Sequence, residues 1–207
     1  MAVEVIPALA VAFLPVLQEE LSTHWVDAPP AYYFAAQVEK ETCITLKHSK
    51  CWNPRAELKT SREYGFGLGQ LTVTPKFNNF EAAKTWDKSL AGWQWDDRYN
   101  PRYQLRALVV YDRNLYRQVK GAASAHDRLA FALSAYNGGF GGLLKDRAMC
   151  ASTGGCDSTR WFGHVEKTSF RAKTAVKGYG KSFFEINREY VSSILNVRYK
   201  KYQEHLS

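Results

Sequence analysis

Residues 35–70 read AAQVEKETCITLKHSKCWNPRAELKTSREYGFGLGQ. They hold an acid-bearing helix, a loop between two cysteines, an Asn-Pro turn and a glycine-rich turn ending in Gln70. The helix decides the reading. Counted from Phe34 at about 100° per residue, Val38 and Glu41 fall within roughly 40° of one face, whereas Glu39 lies about 140° away. Glu39 and Lys40 are therefore expected in solvent, and Glu41 on the apolar side with Phe34 and Val38. A carboxyl placed there loses hydration, and its pKa rises toward the range of a general acid. The competing reading is that Glu41 caps the helix or pairs with an Arg.

Upstream, Val5 to Leu17 is apolar but too short to span a bilayer comfortably. It contains Pro7 and Pro15, follows Glu4 and lacks the basic region of a secretory signal. Ala8 to Trp25 is expected as an amphipathic helix packed on the domain, with a releasable membrane anchor as the minority alternative. Asp27-Ala28-Pro29-Pro30 breaks the chain and starts the next helix, expected from Ala31 to Leu46. Downstream, Gly65, Gly67 and Gly69 alternate before Gln70. No strand is expected before them and no Gly-Lys-Ser/Thr follows, so this is not a phosphate loop. A short strand is expected over Leu71 to Thr74.

Asn79 is expected to cap a helix over Phe80 to Leu90. Trp93 and Trp95 sit in a polar-aromatic loop that could line a saccharide groove or simply anchor a surface loop. Asn100-Pro101 starts a long helix to about Lys120, with Leu105, Leu108, Leu115 and Val119 on one side. Asp127 to Asn137 reads as a buried helix ended by Gly138-Gly139, and Gly141 to Met149 as one more helical piece. Ser158 to Gly180 is irregular and basic, and its tip is a candidate for contact with anionic polymer. Glu185 to His205 is expected as the final helix, with Tyr190, Ile194, Leu195 and Tyr202 facing inward or toward a groove.

With 207 residues and 45% hydrophobic content, the chain fits one folded domain, 1–207. No linker or repeat divides it. The formal charge of +8 leaves nucleic acid, anionic envelope polymers and membrane surfaces as candidate partners. No recognised nucleic-acid motif accompanies that charge. The four cysteines form two close pairs, Cys43/Cys51 and Cys150/Cys156, without zinc spacing. They read as two local disulfides of an oxidising compartment, against four reduced structural thiols. The five histidines are scattered, and no metal or cofactor is expected.

Taken in order, Glu41-Thr42, Asn53-Pro54, Ser61, Gly67-Leu68-Gly69-Gln70, Ala135-Tyr136-Asn137 and Tyr190-Val191 resemble the motifs of soluble lytic transglycosylases. That family shares its fold with goose-type lysozymes, and many phage endolysins are similar. The family pattern is Glu-Ser, Asn-Pro, Ser, Gly-Leu-Met-Gln, Ala-Tyr-Asn and a late Tyr-Val. This chain departs from it with Thr42, with Gly69 in place of Met, and with the longer Cys43–Cys51 stretch between acid and Asn-Pro.

The resemblance implies a mainly α, lysozyme-like domain with a small β element near the active-site groove. It implies a monomer that cleaves the MurNAc-β-1,4-GlcNAc bond of peptidoglycan glycan strands in the periplasm or cell wall. Glu41 would be the acid/base, and Gln70, Tyr136, Asn137 and Tyr190 would contact substrate or orient the acid. A phage lysis role is expected, with release from the host cytoplasm through a membrane lesion. Two alternatives stand beside it. One is a hydrolytic muramidase using Asp87, Asp96 or Asp97 as second carboxylate. The other is a non-catalytic, basic envelope- or nucleic-acid-binding module.

Overall fold

The structure is a computed structural model that describes residues 5–61, 63–171, 173–176, 178 and 180–206. Glu4, and Ala172, Lys177 and Tyr179 of the basic 158–180 stretch, lie outside the described residues. The described chain is mainly helical with one small sheet, consistent with a lysozyme-like fold. It forms two compact units, one comprising residues up to Arg113 and from Asn196 onward, the other Asn114–Leu195.

In the first unit, α1 (Ala8–His24) buries Ala10, Leu14, Leu17 and Leu21 along one stripe. Glu20 goes under with them because Arg106 (2.8 Å), Arg102 (3.1 Å) and His24 (3.2 Å) meet its carboxylate. Helix α2 (Ala31–Thr42) starts after Pro30 and buries Phe34, Ala35 and Val38. It stops four residues earlier than expected. Cys43 turns to extended backbone (φ −100°, ψ 111°) and is tied to Cys51. The Thr42 hydroxyl donates to the Val38 carbonyl (2.7 Å) and accepts the Trp52 N–H (2.9 Å), which fastens the far end of the loop to the helix.

Three short strands follow, β1 (Glu57–Lys59), β2 (Tyr64–Phe66) and β3 (Leu71–Val73), antiparallel in that order. Leu58 pairs with Gly65, and Gly65 with Thr72. The strand at Leu71 was expected; β2, directly before the glycines, overturns the reading that no strand precedes them. Tyr64-Gly65-Phe66, three residues with a glycine at the centre, carries too little alternation and β propensity to be seen in sequence. Next comes α3 (Asn79–Trp86), whose N-cap is Asn78 rather than Asn79, its side chain accepting the Glu81 N–H. Phe66, Leu71, Phe80, Leu90, Trp93, Ala107 and Val110 close one core under the sheet. Trp93 is therefore core rather than groove lining, its ring edge-on to Phe80 at 4.8 Å. Trp95 stays 40% exposed, with the Arg98 guanidinium over its ring.

Helix α4 (Pro101–Gln118) runs as expected, with Leu105, Leu108, Leu115 and nearby Val119 buried. In the second unit α5 (Ala125–Gly138) is capped by Ser124, and α6 (Phe140–Ala151) ends in a loop closed by Cys150–Cys156. Both cysteine pairs thus form the local disulfides read from their spacing. The single final helix is instead three pieces: α7 (Phe183–Ser192), a π-helical segment (Ser193–Arg198) and α8 (Lys200–Gln203). It starts earlier than expected because Ser182 and Glu185 form a reciprocal capping box.

Candidate active site

Glu41 lies on the last turn of α2 and is half-buried. Its neighbour Glu39 corrects the helical-wheel reading. Rather than facing solvent, Glu39 is fully buried. Arg198 and Lys201 (3.0 Å) pair with its Oε1, and the Tyr202 hydroxyl donates to Oε2 at 2.6 Å. Trp52 Nε1 in turn donates to the Tyr202 hydroxyl at 2.9 Å. Burial, reinforced by the Glu39 charge and its hydrogen bond, holds the Tyr202 phenol far above its ordinary range. A buried carboxylate survives only where such partners replace its hydration. Lys40 is half-buried, not solvated. Glu39 thus fastens α2 to the C-terminal segment, while Glu41, nearer the helix end, is only half-buried.

The segments after Glu41 are built from their own side chains. Asn53 accepts the Arg55 N–H (2.9 Å) and donates to the Ser49 carbonyl (3.0 Å), forming the turn at Asn53-Pro54. Gly67 has φ +78°, and a Cβ there would come within 2.5 Å of the Gln104 amide. Glycine is required at this point by both conformation and space. The approach is close because Gln104 stitches the region together. Its Oε1 accepts the Leu68 N–H (2.9 Å), while Nε2 donates to the carbonyls of Pro54 (2.9 Å) and Arg98 (2.8 Å). Gln104 was missed by sequence reading; the available signal was a glutamine adjoining the apolar stripe of α4.

Gln70 is half-buried in left-handed backbone (φ +45°), and its Nε2 donates to the carbonyls of Gly67 (2.8 Å) and Ala56 (3.2 Å). Its amide therefore locks the glycine turn. Ser61 is exposed at the β1–β2 bend. Asp96 and Asp97 are exposed on a short 3₁₀ turn. Asp87 caps Ser89 (2.9 Å) and pairs with Arg113 (3.1 Å). Burial works against its charge, but the Ser89 N–H and hydroxyl and the Arg113 guanidinium prevail and hold its pKa down at about 2.

The second unit brings together Tyr136, Asn137 and Tyr190. The half-buried Tyr136 ring stacks on the buried Tyr190 ring, 6.3 Å between centroids and 8° from parallel. Asn137 is exposed, and its Oδ1 accepts from Asn187 Nδ2 at 3.1 Å. Asn187 was not singled out from sequence. It is a buried hub that also donates to the Ser134 carbonyl (2.9 Å) and accepts from the Ser134 hydroxyl (2.8 Å). A Cβ at Gly138 would lie 2.3 Å from Arg171, which pairs with the buried Asp146 alongside Arg188. The end of α5 is thus fixed by Asn187 of α7 and by Arg171 of the segment before α7, which Asp146 of α6 holds in turn.

Among the described residues, no group of three or more His, Cys, Asp or Glu is placed to hold a metal ion. No helix among them is long and apolar enough to cross a membrane. No family model matches the chain. Over 65 residues it is 34% identical to proteins named membrane-bound lytic murein transglycosylase F from Vibrio parahaemolyticus and Vibrio cholerae. That stretch is 31% of this chain and 12% of each relative, so the match spans about an eighth of the relatives' length. Over that stretch the chain is similar to these lytic murein transglycosylases.

Proposed function

We propose that this chain degrades peptidoglycan as a lytic transglycosylase, cleaving the MurNAc-β-1,4-GlcNAc bond, and that its setting is phage lysis. The observation that carries the reading is the partial identity to lytic murein transglycosylases. The accessible Glu41, on the same helix as a glutamate fully committed to ion pairs, supports it.

In this reading Glu41 gives its proton to the glycosidic oxygen as the C1–O bond breaks. The muramic C6 hydroxyl then bonds to C1, and its proton passes to Glu41. The acid is regenerated, a 1,6-anhydro ring forms and no water is consumed. Gln70 keeps the glycine turn in place beside bound sugar, while Tyr136, Asn137 and Tyr190 carry over as sugar-contacting or orienting residues. A single carboxyl suffices for this route, whereas hydrolysis needs a second group to activate water. Asp87, engaged by Ser89 and Arg113 and strongly acidic, is poorly suited to take up a proton. The chain acts as one catalytic domain on glycan strands in the cell wall.

The test is digestion of purified peptidoglycan followed by mass analysis of the soluble muropeptides. Products lighter by one water than lysozyme products are expected. Hydrated reducing ends would replace the transglycosylase with a muramidase, and wall binding without release would leave a non-catalytic module.

A further inference from the structure

Four acids in the described residues are buried to 1% exposure or less: Glu20, Glu39, Asp112 and Asp146. Three of them have at least two cationic partners each. Glu20 has Arg102 and Arg106, Glu39 has Arg198 and Lys201, and Asp146 has Arg171 and Arg188. Asp112 has no cation partner among the described residues. It accepts one long hydrogen bond, from Gln37 Nε2 to Oδ1 at 3.4 Å. Two oxygens are left over at this contact, Asp112 Oδ2 and Gln37 Oε1. Both are buried and lack a hydrogen-bond partner among the described residues. Two buried acceptors without a donor are costly, and a proton on Asp112 supplies a donor at this contact.

We propose that Asp112 carries that proton and forms a closed acid–amide pair with Gln37. Gln37 Nε2–H donates to Oδ1 and the carboxylic O–H donates to Gln37 Oε1. The pair is a positioning element for Glu41, which follows Gln37 by one helical turn on α2. The groups facing Asp112 agree. Burial pushes its carboxyl well above the ordinary range, the Gln37 hydrogen bond pulls the other way, and the negative charge of Glu41 pushes it up again. A neutral Asp112 keeps a second negative charge away from Glu41 and holds the helix turn without competing for its proton. The pair is argued from the Gln37–Asp112 contact and its two unsatisfied oxygens; its effect on cleavage rests on the reading of Glu41 as the acid.

The test uses the full chain with Asp112→Asn and Asp112→Leu. In the wild type, a carbon-13 carboxyl titration should find Asp112 protonated through neutral pH. Asp112→Asn reproduces the neutral pair, with its amide donating to Gln37 Oε1. It should keep cleavage within a few-fold of wild type with the same pH–rate profile. Asp112→Leu strands both polar atoms of Gln37 and should cut cleavage roughly ten-fold, a loss that Asn rescues. An ionised Asp112 at neutral pH would overturn the pair. So would Asp112→Asn moving the basic limb of the pH profile downward, since that reports a lost negative charge beside Glu41. If the wild type cleaves nothing, the proposed function fails, while the titration still decides the pair. If Asp112→Leu does not fold, the wild-type titration and Asp112→Asn decide it.

Discussion

The two sides of α2 handle a buried acid in opposite ways. Glu39 is met by Arg198, Lys201 and the Tyr202 hydroxyl, so its charge is kept and used as a clamp. Asp112, against Gln37 on the same helix, is met by one amide, so its proton is retained in our account. The difference lies in the supply of partners, not in depth, because both carboxyls are buried to the same degree. A charged clamp is strong but intolerant of losing a member. A neutral pair is weaker and can be copied by an amide.

The comparison can be broken most forcibly at the clamp. Glu39→Ala leaves two cations without their acid and should cost about 3–5 kcal/mol, read by urea unfolding. A loss below about 1 kcal/mol would mean that Arg198 and Lys201 are served well enough by water. Tyr202→Phe removes the donor to Glu39 and the acceptor of Trp52 Nε1, and should cost about 1.5–3 kcal/mol. On the other side, at about pH 3, where Asp112 is protonated in both states, Asp112→Ala should cost about 1–3 kcal/mol and Asp112→Asn less than about 1 kcal/mol. Equal losses for the two would erase the distinction between clamp and pair.

The pH dependence is the most diagnostic, because it depends on sign. The folded pKa of Asp112 is raised, so the native state binds more protons than the unfolded chain. Its contribution is complete below about pH 4 and fades as pH rises toward the folded pKa. Asp87 is depressed, to about 2, so its contribution is complete above about pH 4 and is lost as pH falls through 2. Unfolding free energies of Asp112→Asn and wild type, compared across pH, should therefore diverge in favour of the variant as pH rises. A constant difference would contradict a raised Asp112.

These contrasts explain what the sequence discloses. The start of α2 after Pro30, the α4 stripe and both cysteine pairs were legible, since each is a local pattern. Glu39 was misread because its partners lie some 160 positions away, and a helical wheel sees only the helix. The strands β1 and β2 were too short to show a period, although the bend at Ser61 separates them and the glycine turn follows β2. Asp112 was legible in principle: it interrupts the spacing of Leu105, Leu108, Leu115 and Val119 at the position where the apolar stripe calls for another hydrophobe. A polar residue on such a stripe needs a buried partner, and Gln37 is that partner. The resemblance implies a sugar contact for Gln70, yet its amide first serves the turn that carries it.

The division between Glu39 and Glu41 is tested most directly by Glu41→Gln. The variant should remain folded by circular dichroism, because the Glu39 clamp that ties α2 to the C-terminal segment is left intact. Release of soluble muropeptides from purified peptidoglycan should fall by at least about 100-fold, the scale of a lost general acid. Retained release by a folded Glu41→Gln protein would contradict the assignment of Glu41 as the acid.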